Sequence, residues 1–573
     1  MKNFKETANF IWSIADLLRG DYKQSDYGKV ILPLVVIRRL DSVLDGTKSK
    51  VLKTLIELKT KTKTQNLDPI LNKAAGYNFH NKSNFNFDKL VADPNNIAAN
   101  LRNYINGFSE DAREIIEQFE FDNQITKMDD NNLLFMVVKR FQEVDLHPNK
   151  ISSMEMGYLF EELIRKFAEI SNETAGEHFT PREVIRLMIN LLFLNDREIL
   201  TKKGIVKTIY DCCAGTGGML SVAEEYLHEL NPDARLEVFG QELNPESYAI
   251  CKSDMIIKGQ NASNIKKGNS ISEDKLPTEK FDYLITNPPF GVKWEKFAKP
   301  VKDEHESLGD KGRFGAGLPS VSDGSFLFLM HLMSKMKAEG SRLAIVFNGS
   351  PLFSGSPSST KNESSIRQSI IENDLLEAII ALPNQLFYNT GISTYIWIIS
   401  NHKPKNRKGK VQLINGEGYF KKMSKSLGNK RNELSEEHIE QITKLYGSFK
   451  ETTDCKIFDN TDFGYNKVTV ERPERDVKGK IILDKNKKPK ADSALRDTEN
   501  IPLKVNIDTY MKAEVLPHAP DAWVDESKTK IGYEINFTKY FYQYKPLRSL
   551  QEIKKEILAL EQETDGLIKE VIA

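Results

Sequence analysis

Between about residues 205 and 400 the chain alternates short β-branched runs with stretches of helical periodicity, and no other feature limits the fold so strongly. The runs are Ile205–Tyr210, Leu236–Phe239, Phe281–Thr286, Leu343–Phe347, Leu376–Leu382 and Tyr395–Ile399. Most are nearly continuous in apolar residues rather than alternating, which is the pattern of strands covered on both faces. Strands of that kind joined by helices make a βαβ series with a mostly parallel sheet, and ligands bind beyond the carboxyl ends of its strands. Two conspicuous segments fall at such ends.

The first is Asp211-Cys212-Cys213-Ala214-Gly215-Thr216-Gly217-Gly218, between the first strand and a helix. Gly215 and Gly217 permit a tight turn and close backbone approach to a ligand. Glu242, at the end of the next strand, is placed to accept ribose hydroxyls. The spacing falls short of GxGxxG, so a nucleoside donor such as S-adenosylmethionine is expected rather than a dinucleotide. Asp211 suits its amino group. The second segment is Asn287-Pro288-Pro289-Phe290, directly after the strand that ends at Thr286. An exocyclic amine on a planar base is a poor nucleophile, and a catalyst must hold its N–H bonds. The Asn287 side-chain oxygen and the Pro288 carbonyl supply two acceptors, Pro289 stiffens the turn, and Phe290 offers a stacking face. In duplex DNA such a pocket requires a base flipped out of the stack.

Upstream, residues 1–150 read as a helical domain, with amphipathic spacing in Ile11, Ile14, Leu18 and again in Val30, Leu34, Ile37. Residues 151–445 hold the strand–helix series, 446–545 read as an irregular region, and 546–573 as a coiled-coil-type helix. In that last helix Leu550, Ile553, Ile557, Leu560, Thr564, Leu567 and Val571 recur at steps of three and four, a heptad seam that needs a partner surface. The five-glycine stretch Ser307–Ser325 after the catalytic turn is expected to act as a mobile lid. Basic runs at 403–410 and 485–490 are local, because 81 basic residues balance 81 acidic ones. Four cysteines offer neither a disulfide framework nor a zinc pattern, no metal is expected, and no apolar run is long enough to span a membrane. A cytoplasmic protein is expected.

Several blocks in order carry a resemblance: Trp12–Gly20, Gly176–Arg182, the donor loop, Asn287–Phe290, Asn348–Phe353, Leu382–Ser393 and Val470–Pro473. The chain resembles the modification subunit of type I restriction-modification systems. That resemblance implies an α/β Rossmann-like class I methyltransferase domain with a mostly parallel seven-stranded sheet, after a helical domain and before a tail ending in a long helix. It implies adenine-N6 methylation of double-stranded DNA from S-adenosylmethionine without a metal. Glu177, His178, Phe179, Thr180 and Pro181 would close over the methionine end, Thr216 and Gly218 would join Gly215 and Gly217 in the donor loop, and Asn269 would stand where many relatives carry an acid toward the donor's adenine. Implied partners are DNA, a sequence-reading specificity subunit held through the C-terminal helix, a second modification subunit and a motor-nuclease subunit. Methylation of RNA or protein glutamine, and a non-catalytic scaffold, are the competing readings.

Overall fold

A computed structural model describes residues 2–61, 66–171, 180–196, 200–358, 360–388, 390–485, 487–542 and 549–560. The chain divides into two compact units, residues 1–535 and 536–573. In the first unit the described strands are β1 (Val206–Asp211), β2 (Arg235–Glu242), β3 (Ile265–Lys267), β4 (Tyr283–Thr286), β5 (Arg342–Asn348), β6 (Leu376–Ala381), β7 (Thr394–Ser400), β8 (Lys410–Asn415), β9 (Lys421–Leu427), β10 (Lys430–Glu433), β11 (Cys455–Asp459), β12 (Gly464–Glu471), β13 (Asp497–Pro502) and β14 (Trp523–Tyr533).

Nine of them form one sheet in the order β11-β8-β6-β7-β5-β4-β1-β2-β3. The stretch from β3 to β6 is the expected seven-stranded, mostly parallel sheet, with β7 inserted antiparallel between β5 and β6. The sheet exceeds that expectation by two strands: β8 joins β6 in parallel and β11 closes the edge antiparallel. β6 and β7 are buried along their whole lengths and β5 along all but its last residue, in keeping with their unbroken apolar runs. Full burial of each Ile or Val there stabilises by about 1.5–3 kcal/mol.

The N-terminal residues form the expected helices. Their centre is Tyr27–Leu44, whose Val30 to Ile37 segment is buried on every face, as a helix apolar all round must be. Its Arg39 donates to the carbonyl of Ile151 (2.7 Å) and Arg38 to that of Val144 (2.7 Å), tying it to the segment that leads into helix Ser153–Ser171. Helix Pro245–Ile257, which follows β2, is clasped from the N-terminal side where Lys252 Nζ meets Glu114 Oε2 at 2.7 Å. One cluster of buried apolar residues runs from Ile11 through the sheet to Cys455.

The region expected to be irregular, 446–545, holds regular strands over its described residues up to Tyr533. β11 extends the main sheet, and β12 pairs antiparallel with β13 and β14 in a separate three-stranded sheet. This sheet is anchored by the buried Arg367, which donates to the carbonyls of Tyr533 (2.8 Å) and Pro351 (3.1 Å). Most residues of β13 and β14 are exposed or half-buried, so no apolar run announces them. In the second unit the described residues include a short helix, Phe537–Phe541, and a helix over 550–560. Leu550, Ile557, Leu558 and Leu560 are exposed there, while Thr564, Leu567 and Val571 of the heptad seam lie outside the described residues.

Candidate active site

β1, β2 and β4 end side by side, so the segments following Asp211, Glu242 and Thr286 share one edge of the sheet. Gly215 and Gly217 take φ of 52° and 85°, the left-handed region that favours glycine. Gly217 is also the N-cap of helix Gly218–Leu230, and a Cβ there would stand 2.9 Å from Cys251 Sγ. The loop is thus closed against the helix behind it. The Gly215 N–H donates to Glu242 Oε2 and the Asn244 N–H to Oε1, both at 2.7 Å, which fixes the carboxylate beside the loop. A carboxylate has about four acceptor positions, so lone pairs remain for ribose hydroxyls. Burial raises the Glu242 pKa against these bonds.

Asp211 is buried, and burial pushes its carboxyl up to about 7, opposed by hydrogen bonds from the Cys213 N–H (2.9 Å) and the Thr286 hydroxyl (2.7 Å). Thr286 is the residue before Asn287, so one hydroxyl joins the donor strand to the amine-binding turn.

Two cavities meet at Cys213, Gly215 and Asn287. The larger, about 440 Å³, is lined by Glu242, Asn269, Pro245, Pro289, Phe297 and Phe328 among others. The smaller, about 60 Å³, is lined by Thr180, Asp211, Thr216, Gly218, Asn287 and Glu161 among others. The first fits a nucleoside between apolar walls with an acid at its ribose end; the second fits a short cationic tail. Glu161 comes from helix Ser153–Ser171 and was not foreseen. Burial raises its pKa although Arg182 Nη2 stands 3.3 Å from Oε1. Its sequence signal was Gly157, one turn earlier: a Cβ there would lie 2.3 Å from Arg182 Nη2, so this mid-helix glycine makes room for the guanidinium that holds Glu161.

Asn269 lines the larger cavity, but its Oδ1 accepts from the N–H groups of Ile271 (2.9 Å) and Ser272 (3.3 Å). These two bonds hold the Asn269 side chain in the wall of that cavity. Of the segment expected to close over the methionine end, Thr180 and Pro181 are buried beside the site, and Glu177, His178 and Phe179 lie outside the described residues. Thr180 Oγ1 accepts from Asn287 Nδ2 at 2.8 Å, which orients the amide. Pro288 is buried, Pro289 and Phe290 are half-buried, and Phe387 meets Phe290 edge-on with centroids 6.3 Å apart.

The Ser307–Ser325 stretch, expected to act as a mobile lid, is strapped to the site through Arg313. Its Arg313 donates to the carbonyls of Ser270 (2.8 Å) and Ile271 (3.0 Å) in the wall of the larger cavity, and pairs with Glu304 at 2.6 Å. The same guanidinium meets His331, whose other nitrogen meets the Tyr210 hydroxyl at 3.0 Å; burial and Arg313 hold that imidazole neutral, with a pKa of about 3. Among the described residues, no group of three or more His, Cys, Asp or Glu is placed to hold a metal ion, and no helix is long and apolar enough to cross a membrane.

Comparison with known proteins agrees with this geometry. The type I restriction enzyme MjaIX methylase subunit of Methanocaldococcus jannaschii is 27% identical over 469 residues, 78% of each chain. The HindI methylase subunit of Haemophilus influenzae is 29% identical over 273 residues, 46% of this chain and 55% of that one. The fold matches the type I restriction-modification methyltransferase subunit from Streptococcus thermophilus with a TM-score of 0.62 at 24% identity, over 80% of this chain and 97% of that one. The family model of the HsdM N-terminal domain matches residues 7–141 and that of N-6 DNA methylase residues 152–470. With more than half its length inside the latter match, the chain belongs to the N-6 DNA methylase family, as a methylase subunit of the type I restriction-modification kind.

Proposed function

We propose that the chain transfers the methyl group of S-adenosylmethionine to the N6 amine of an adenine flipped out of double-stranded DNA, with a separate specificity subunit choosing the sequence. The observation that carries this reading is the placement of Asn287: it touches both cavities, follows the Thr286–Asp211 link, and is oriented by Thr180. Bound S-adenosylmethionine supplies an electrophilic methyl with a neutral thioether as leaving group. The rest is done by this chain's residues. Asn287 Oδ1 and the Pro288 carbonyl accept the two amine N–H groups and favour the positive charge that builds on nitrogen as it attacks. Phe290, braced by Phe387, stacks on the base. Glu242 accepts the ribose hydroxyls. Asp211 and Glu161 hold the amino group of the methionine tail, and the N-terminus of helix Gly218–Leu230 suits its carboxylate. No protein nucleophile is needed, because positioning supplies the catalysis.

In the same reading the heptad helix docks on the specificity subunit, a second modification subunit completes the methylase, and a motor-nuclease subunit adds restriction. The test is tritiated methyl transfer to plasmid DNA by the co-purified assembly, with the methylated nucleoside identified after digestion. N6-methyldeoxyadenosine is expected. Asn287→Ala should lower transfer by at least about a thousandfold, roughly 4 kcal/mol, while donor binding stays within about twofold. Near-normal transfer by that variant, or label in cytosine, RNA or protein alone, would overturn the reading.

A further inference from the structure

The hairpin β9–β10 carries five cations against one acid, Glu433, which stands opposite Lys421 in the strand register. From Gly418 to Asn432 the chain carries Lys421, Lys422, Lys425, Lys430 and Arg431 and no acid, in a protein whose charges otherwise balance. Lys421, Lys422, Lys425 and Arg431 are exposed, and no described residue forms an ion pair with them. Lys430 is different. It is buried, pairs with Glu183, and donates to the carbonyls of Leu386 (3.1 Å) and Asn432 (2.9 Å).

The root of the hairpin is fastened to the active site. Arg431 N–H donates to the Gln385 carbonyl (2.9 Å), Asn429 N–H to that of Tyr388 (2.8 Å), and Asn432 Nδ2 to that of Asn384 (2.8 Å). These bonds clamp the loop carrying Phe387, the ring that braces Phe290. Glu183, the partner of Lys430, lies in the first turn of helix Arg182–Phe193, directly after Thr180 and Pro181. Four exposed cations, of which Lys421 alone faces an acid across the hairpin, thus stand on a strand pair rooted on both sides of the amine-binding turn.

We propose that this hairpin contacts the DNA backbone beside the flipped base, with Lys421, Lys422, Lys425 and Arg431 meeting phosphates. This rests on the reading of the chain as a DNA methylase and adds a surface that neither the donor site nor the catalytic turn provides. Phosphate contacts are sequence-independent and fix register on the duplex, which suits a chain that leaves base reading to a partner.

The experiment replaces Lys421, Lys422 and Lys425 by alanine in the co-purified assembly and measures duplex affinity against salt, with S-adenosylhomocysteine affinity alongside. Each phosphate contact contributes about 0.9 to the slope of log affinity against log salt, so the triple variant should lose about 2.7 of slope. Its methylation KM for DNA should rise several-fold at about 0.15 M salt, with kcat and S-adenosylhomocysteine affinity unchanged. Lys421→Arg, Lys422→Arg and Lys425→Arg together should restore the slope. An unchanged slope with normal methylation overturns the proposal and leaves the lysines as shields of two open strand edges. Loss of the specificity partner at normal slope overturns it in favour of an anionic protein surface. If the wild-type assembly methylates no DNA, the reading beneath it fails instead.

Discussion

Asp211 carries a pH signature that follows from its burial. Its folded-state pKa of about 7 lies above the ordinary 3.8, so the empty site holds a proton that a cationic ligand must displace below pH 7. Affinity for S-adenosylhomocysteine should therefore rise by up to tenfold per pH unit between about pH 5.5 and 7 and level off above, as one released proton requires. Calorimetry across that range checks it, and a flat profile would refute the role of Asp211. Asp211→Asn should weaken binding and flatten the profile; a slope that survives belongs to Glu161 or Glu242, whose carboxyls burial also raises, and Glu161→Gln tells the two apart. Stability of the empty chain has the opposite sign. The unfolded carboxyl ionises first, so Asp211 costs stability increasingly as pH climbs from about 4 to 7. The residues that sequence spacing exposed, Asp211, Gly215, Gly217, Glu242 and Asn287, all sit at strand ends, where local pattern and function coincide. Glu161 does not. It reaches the site across tertiary space from a helix before the sheet, and only Gly157 hinted at it.

Among the elements, the strap Ser307–Ser325 separates what composition tells from what packing decides. Five glycines describe a chain free to move, yet Arg313 binds this one to the wall of the nucleoside cavity at Ser270 and Ile271. Removing that guanidinium by Arg313→Met should raise the donor dissociation constant about tenfold, roughly 1.4 kcal/mol. Equilibrium binding measures it; unchanged affinity would mean that the wall stands without the strap. Packing also claims part of the basic run at 403–410. Lys403 is buried against Asp374 (2.6 Å), and Arg407 is buried over the Tyr446 ring (4.5 Å), so two of its five cations serve the packing beside the sheet. The strands buried on both faces were plain in the sequence because every residue answers to the same environment. β9 and the β12–β14 sheet were not, since half-exposed strands mix polar and apolar residues without a clean period.

Across the whole molecule, one buried apolar cluster passes from the N-terminal helices into the sheet that carries the donor site, so that site should not depend on the second unit. Truncation after Pro546 should leave S-adenosylhomocysteine affinity of the remaining chain within about twofold while abolishing co-purification with the specificity subunit; assembly that survives the cut would refute that docking role. The domain order was legible because helical and strand periodicities change along the chain near residue 205. The surface proposed for the partner was legible only as a seam in need of a neighbour. Leu550, Ile557, Leu558 and Leu560, open to water at the chain's last described helix, also bear on dosage. On the docking proposed for this helix, copies made in excess of the specificity subunit keep that apolar face uncovered, which is the feature by which cellular proteases and chaperones select surplus chains. On that docking, the scarcer subunit sets how much methylase a cell holds.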